Sequence, residues 1–315
     1  MLSTVLNYGV YTYLKLSEIS RVLQTSKDIY CIKPIAWREG WKDQFKLSSE
    51  FFLAVYSNKI EQVRYLLQCG ASVNYQNDFA IRCSAGRGNL ELVKLLTEAG
   101  ANIHAKNNIP LRRSAENGHL DVVKYLLESG ANRHIINRNM IYTIVINGHL
   151  NILKFLAENG FEFQKNDLLS ASAVYGKLDI VKYFIEVGAN VNTITEQHVE
   201  NILERGYLEV MKTLVDAGLK IPILNSDVLQ RIAQYGYEDI IIYLVEAGVG
   251  VETITLGKVV ENGNLSFVKY LLENGASVSD IDNKTLTYCM WIGYYDIVKF
   301  LLEKFPSLHQ KEVYY

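Results

Sequence analysis

The sequence predicts an all-α solenoid of about nine helix-turn-helix units joined by loops or short β-hairpins. Three observations carry that reading. Glycines recur in pairs twelve residues apart: Gly88 and Gly100, Gly118 and Gly130, Gly148 and Gly160, Gly176 and Gly188, Gly206 and Gly218, Gly236 and Gly248, Gly263 and Gly275. Gly293 opens a further copy, and Asn58, a residue that tolerates a left-handed backbone, opens an earlier one that closes at Gly70. The spacing between pairs is usually 18 residues but falls to 16 from Gly160 to Gly176 and to 15 from Gly248 to Gly263. The constant interval therefore marks rigid packing and the variable one a loop. Finally, apolar residues inside each copy follow a helical period.

The first helix of each unit precedes the turn glycine. Seven residues before it stand Phe51, Ile81, Leu111, Ile141, Leu169, Val199, Leu229, Leu256 and Leu286. Three before it stand Val55, Ala85, Ala115, Val145, Ala173, Leu203, Ala233, Val260 and Met290. This i, i+4 stripe faces the second helix. In that second helix the fifth position after the turn reads Val63, Val93, Val123, Leu153, Val181, Met211, Ile241, Val268 and Val298, and the eighth reads Leu66, Leu96, Leu126, Leu156, Phe184, Leu214, Leu244, Leu271 and Leu301. Both positions fall on one face of about three helical turns. The closing glycine is where a left-handed C-terminal cap belongs. The units lie near 48–77, 78–107, 108–137, 138–165, 166–195, 196–225, 226–252, 253–282 and 283–310. Each is too small to bury a core alone, so stability comes from stacking on neighbours.

The run Gly118-His119-Leu120-Asp121-Val122-Val123-Lys124-Tyr125-Leu126-Leu127-Glu128-Ser129-Gly130-Ala131-Asn132 resembles the ankyrin repeat. The likeness extends over roughly residues 48 to 308. It implies an ankyrin-repeat solenoid that binds protein partners through the loop tips and the variable positions of the first helix, on the concave side. The Thr-Pro-Leu-His tetrapeptide common in the family is missing, its remnant being Ile109-Pro110-Leu111-Arg112. The 30-residue variety is similar to the large ankyrin families of giant DNA viruses of amoebae, which implies host proteins as partners.

A formal charge of −2 and a pI near 6.3 give no electrostatic case for nucleic acid or a membrane surface as partner. No apolar run approaches the ~18 residues that span a bilayer. Cys31, Cys69, Cys83 and Cys289 have neither metal-ligand spacing nor a disulfide framework. An intracellular protein, cytoplasmic or nuclear, is expected. No catalytic motif is found, and Gly250 to Gly257-Lys258 has the wrong spacing for a phosphate loop. A non-enzymatic protein without cofactor or metal is the expectation. His119 and His149 follow the turn glycine, where hydrogen bonding within the repeat explains them; His104 and His134 are read as solvated loop residues.

Function must then come from the surface. Arg82, Arg87, Arg112, Arg113 and Arg138, with Lys106, Arg133 and His134, concentrate positive charge that would steer an acidic partner segment. Against this stands pairing with Glu91, Glu116 and Asp121. Ile146, Val174, Tyr175, Tyr235 and Trp291, together with Ile292, put apolar groups where the family usually has polar ones, as interface anchors do. For Trp291 a covering cap is the competing explanation.

Residues 1–47 do not fit the repeat. They read either as a helical cap or, from Tyr13 to Tyr30 with Trp37 after it, as a segment similar to the later half of an F-box, whose opening Leu-Pro-x-Glu is absent. The first reading leaves a protein-binding scaffold; the second makes the chain a substrate adaptor that recruits a ubiquitin ligase. Residues 311–315 form a short tail.

Overall fold

The computed structural model describes residues 44–310, so the cap and F-box readings of the N-terminus lie outside the described residues. Within them are seventeen α-helices. In chain order they are α1 (Gln44–Tyr56), α2 (Ile60–Gln68), α3 (Tyr75–Gly86), α4 (Leu90–Glu98), α5 (Ala105–Glu116), α6 (Leu120–Glu128), α7 (Arg138–Asn147), α8 (Leu150–Glu158), α9 (Lys165–Val174), α10 (Leu178–Glu186), α11 (Glu196–Glu204), α12 (Leu208–Asp216), α13 (Ser226–Gln234), α14 (Glu238–Glu246), α15 (Leu265–Glu273), α16 (Asn283–Ile292) and α17 (Tyr295–Lys304). They form an all-α solenoid of paired helices, the fold class the sequence predicts. Two compact bodies are distinguished: residues up to Leu111 with Glu128–Ala131, and residues 112–127 with 132 onward.

Every glycine of the series has a positive φ, from +68° at Gly176 to +101° at Gly293, and Asn58 takes the same role at φ +53°. Both glycines of a pair close helices in the same way. After α4, Gly100 N–H donates to Thr97 O at 3.0 Å and Ala101 N–H to Leu96 O at 2.9 Å. After α9, Gly176 N–H donates to Ala173 O at 3.0 Å and Lys177 N–H to Ser172 O at 2.8 Å. These paired bonds satisfy helix-end carbonyls, and the left-handed residue they require is the reason for the glycines. Eight second helices are nine residues long, and only α17 reaches ten. The second-helix core positions Val63 to Val298 and Leu66 to Leu301 are buried in all nine copies.

The linking segments are loops and short 3-10 turns; among the described residues the one β-pairing outside them is an isolated parallel bridge, Thr255 to Ser277. In two copies a side chain at the start of the first helix braces the loop that follows the second. Asn102 N–H donates to Asp78 Oδ1 at 3.0 Å, and Asn190 N–H to Asn166 Oδ1 at 2.9 Å. In the first body, Gln76, Asn77 and Asp78 form a left-handed turn, which Arg82 secures by donating to Gln76 O at 3.0 Å and Asn77 O at 2.9 Å.

The eighth copy departs from expectation. No α-helix forms around Leu256; turns and a 3-10 helix (Val260–Asn262) lead into Gly263. The backbone there is engaged elsewhere. Gln230 clamps Thr255 from both sides, accepting from its N–H at 2.7 Å and donating to its carbonyl at 3.0 Å. Asp280 Oδ1 accepts from Gly257 N–H at 2.8 Å, so close that a Cβ on Gly257 would lie 2.6 Å from the carboxylate. Leu256 and Val260 are nevertheless fully buried. Burial of the stripe survives the loss of its helix because the stacking neighbours, not local propensity, select those residues.

Candidate partner-binding surface

Two repeated side-chain contacts join neighbouring copies and separate structural from available residues. The first uses the residue just before the turn glycine, whose side chain donates to the last turn of the preceding first helix. Arg87 donates to Tyr56 O, Asn147 Nδ2 to Glu116 O at 2.7 Å, Arg205 to Val174 O at 3.1 Å and Asn262 Nδ2 to Gln234 O at 2.9 Å. Each satisfies a carbonyl the helix end leaves open. The second contact uses the residue after the glycine, which lies over the preceding turn. A Cβ on Gly118 would meet His149 at 2.6 Å, on Gly176 would meet Tyr207 at 2.7 Å, and on Gly263 would meet Tyr294 at 2.5 Å. His149 Nε2–H also donates to Glu116 O at 2.9 Å, the hydrogen-bonding role expected of it.

Tyr175, Tyr235 and Ile292 occupy the bracing position with side chains of another kind. Tyr235 is 61 % exposed, with Tyr237 at 6.0 Å between ring centroids. Tyr175 is exposed beside the Arg205 guanidinium, 5.5 Å from its ring, and hydrogen-bonds Tyr142. Burial, and secondarily Tyr175, push the Tyr142 phenol above its ordinary range. Ile146 and Val174 are half-buried under this edge. The structure thus gathers Val174 and Tyr175 with Tyr142 and Arg205, while Tyr235 and Trp291 lie on later copies.

The arginines divide between the two bodies. Arg82 and Arg87 belong to the first body, and Arg112, Arg113 and Arg138 to the second. Arg82 holds its own loop, and Arg87 stacks on Tyr56 at 3.9 Å. Arg112 lies 3.9 Å from Glu116 on its own helix, with Arg113 exposed beside it. Arg138 pairs with Asp167 of the next copy at 2.6 Å, both ends solvated. The expected pairing with Glu116 is present; Asp167 is a partner the sequence reading did not name. Exposed pairs of this kind contribute ~0–1 kcal/mol and open readily to a competing charge.

A cavity of 520 Å³ opens next to that pair, lined among others by Arg133, Arg138, Tyr142, Phe161, Phe163 and Asp167. Phe161, one of its lining residues, stands where Ala71, Ala101, Ala131 and Ala189 follow the closing glycine in other copies. The Arg133 guanidinium lies 4.7 Å from the Phe161 ring and donates to Asn159 O at 3.1 Å. Sequence reasoning missed Tyr142 and Phe161; the alanine-to-phenylalanine exchange was the signal that could have found them.

Among the described residues no group of three or more His, Cys, Asp or Glu could hold a metal ion, and no helix is long and apolar enough to cross a membrane. His104 Nδ1 lies 2.8 Å from Asn108 Oδ1, so its ring is held by its own loop.

A family model described as ankyrin repeats, in three copies, matches residues 51–137 and 229–312. The crystal structure of the human ASB11 ankyrin repeat domain is similar to 57 % of this chain and 89 % of its own, at 22 % identity and a TM-score of 0.47. No curated protein matches the chain.

Proposed function

Since the chain belongs to the ankyrin-repeat family, whose repeats mediate protein–protein interaction, we propose that it is a non-enzymatic scaffold that holds a protein partner on its first helices and loop tips. One observation carries this reading: the bracing position before the turn is given over to exposed tyrosine at Tyr175 and Tyr235, where other copies use arginine or asparagine to secure the stack. Aromatic residues exposed on rigid elements present large contact area at little entropic cost, which is why they dominate interface energetics. The pocket at Phe161 and the solvated Arg138–Asp167 pair lie on the same run of copies and offer a partner an apolar seat beside an exchangeable charge. Arg112 and Arg113 are exposed on a first helix of the same body.

The test is affinity capture from cell lysate by the full chain and by its Tyr175→Ala/Tyr235→Ala variant, with circular dichroism to confirm that both are folded. Partners held by the full chain and lost by the variant support the proposal; equal capture by both sinks it. A chain lacking residues 1–46 tests the adaptor alternative in the same experiment. Ubiquitin-ligase subunits captured only when those residues are present would replace the scaffold reading with that of an adaptor.

A further inference from the structure

The last copy exposes what every earlier copy in the second body covers. Three residues before the turn glycine the side chain is buried from Ala115 through Val260, yet Met290 is 43 % exposed. Two residues before it the side chain is half-buried from Glu116 through Glu261, whereas Trp291 is 83 % exposed. Two residues after it the leucines and Glu238 are half-buried, whereas Tyr295 is 67 % exposed. These are the positions through which one copy receives the next. An end that faced water would carry polar residues there, as terminal repeats of solenoids do. This one carries Met290, Trp291, Ile292 and Tyr295, with Tyr288 exposed beside Trp291 at 6.5 Å between ring centroids. The 3-10 helix Pro306–Gln310 buries Leu308 and packs on α17, and among the described residues the α16 side of this end stays exposed.

We propose that this face is a homotypic interface, by which two copies of the chain meet end to end about a two-fold axis. Two features select a second copy as the occupant. From Thr285 to Tyr295 the sequence has no charged residue, so the face meets its own image without like-charge repulsion. Its exposed side chains present on the order of 500 Å² of apolar surface, and two such faces together reach the ~1,000 Å² that a specific interface needs. Either half alone would be a patch near the upper limit found on monomers.

Sedimentation velocity on the full chain across micromolar concentrations is the test. A monomer–dimer equilibrium is expected, with Trp291→Glu and, separately, Tyr295→Glu raising the dissociation constant by at least about tenfold. Both side chains are largely in solvent, so the variants should keep the parent's helical circular dichroism and remain interpretable. A chain that stays monomeric throughout overturns the proposal, as does a dimer indifferent to both substitutions. Dimerisation only after residues 311–315 are removed would also overturn it, by showing that the chain's own tail occupies the face.

Discussion

Gly118 is required twice, once by its backbone and once by its neighbour, and the two demands can be measured apart. Its φ is +85°, the same as that of Gly188, so alanine at either position incurs a left-handed strain of about 1 kcal/mol. At Gly188 an added Cβ meets nothing within 4 Å. At Gly118 it meets the His149 ring at 2.6 Å from Nδ1 and 2.7 Å from Cε1, so the imidazole must swing away. That movement breaks the 2.9 Å bond from Nε2–H to Glu116 O, costing about 1 kcal/mol, and uncovers packing around the turn. Gly188→Ala should thus destabilise by about 1 kcal/mol and Gly118→Ala by about 2–3 kcal/mol. Urea unfolding followed by circular dichroism reads both as shifts of midpoint at constant slope. The decisive comparison is the cycle with His149→Ala, in which Gly118→Ala should cost about 1–2 kcal/mol less than it does beside the histidine. Equal destabilisation at the two glycines, or strict additivity in the cycle, would refute the reasoning.

Leu156 is fully buried, so Leu156→Ala should cost about 2–5 kcal/mol; hydrogen exchange should show the loss of protection centred on α8 and its neighbours, and uniform opening of the chain would contradict nearest-neighbour stacking. Asp282 caps α16 by accepting from Thr285 N–H at 2.8 Å, and that bond, followed by the one from the Thr285 hydroxyl at 2.9 Å, lowers its carboxyl below the usual range. A depressed folded value means that the carboxylate's contribution is complete above the unfolded pKa of about 3.9 and disappears as pH falls through the folded value. Asp282→Ala should therefore cost about 1 kcal/mol near pH 7, and the gap in melting temperature from the parent should narrow in strong acid; a gap independent of pH would show that ionisation is irrelevant to the cap.

The glycine spacing made the architecture legible because it records a local requirement. A helix that ends in a left-handed residue needs glycine whatever surrounds it, and a stripe of apolar residues at helical period needs a neighbour to cover it. Asn58 was readable for the same reason, and its φ of +53° agrees. The eighth copy was misread as helical because its stripe is intact; the Gln230 clamp and the Asp280 bond that displace the helix come from residues about 25 positions away in sequence. Arginines 82, 87, 112, 113 and 138 illustrate the same limit. Their charge is plain in the sequence, but whether a guanidinium steers a partner or closes a loop depends on which carbonyl or carboxylate folding brings beside it.

The sequence by itself thus determined the repeat, all but one of its helix pairs, the left-handed turns and the core stripe apart from Met290, since each follows from interactions within about one copy. Only the tertiary structure decided which surface residues are spoken for. The bracing of each copy by the residue before its turn, the lodging of His149 and Tyr207 over preceding glycines, the pocket beside Phe161 and the exposed end at Trp291 all arise between copies. Stacking sets those contacts across some 30 residues of chain, a distance over which no local propensity or periodicity reports.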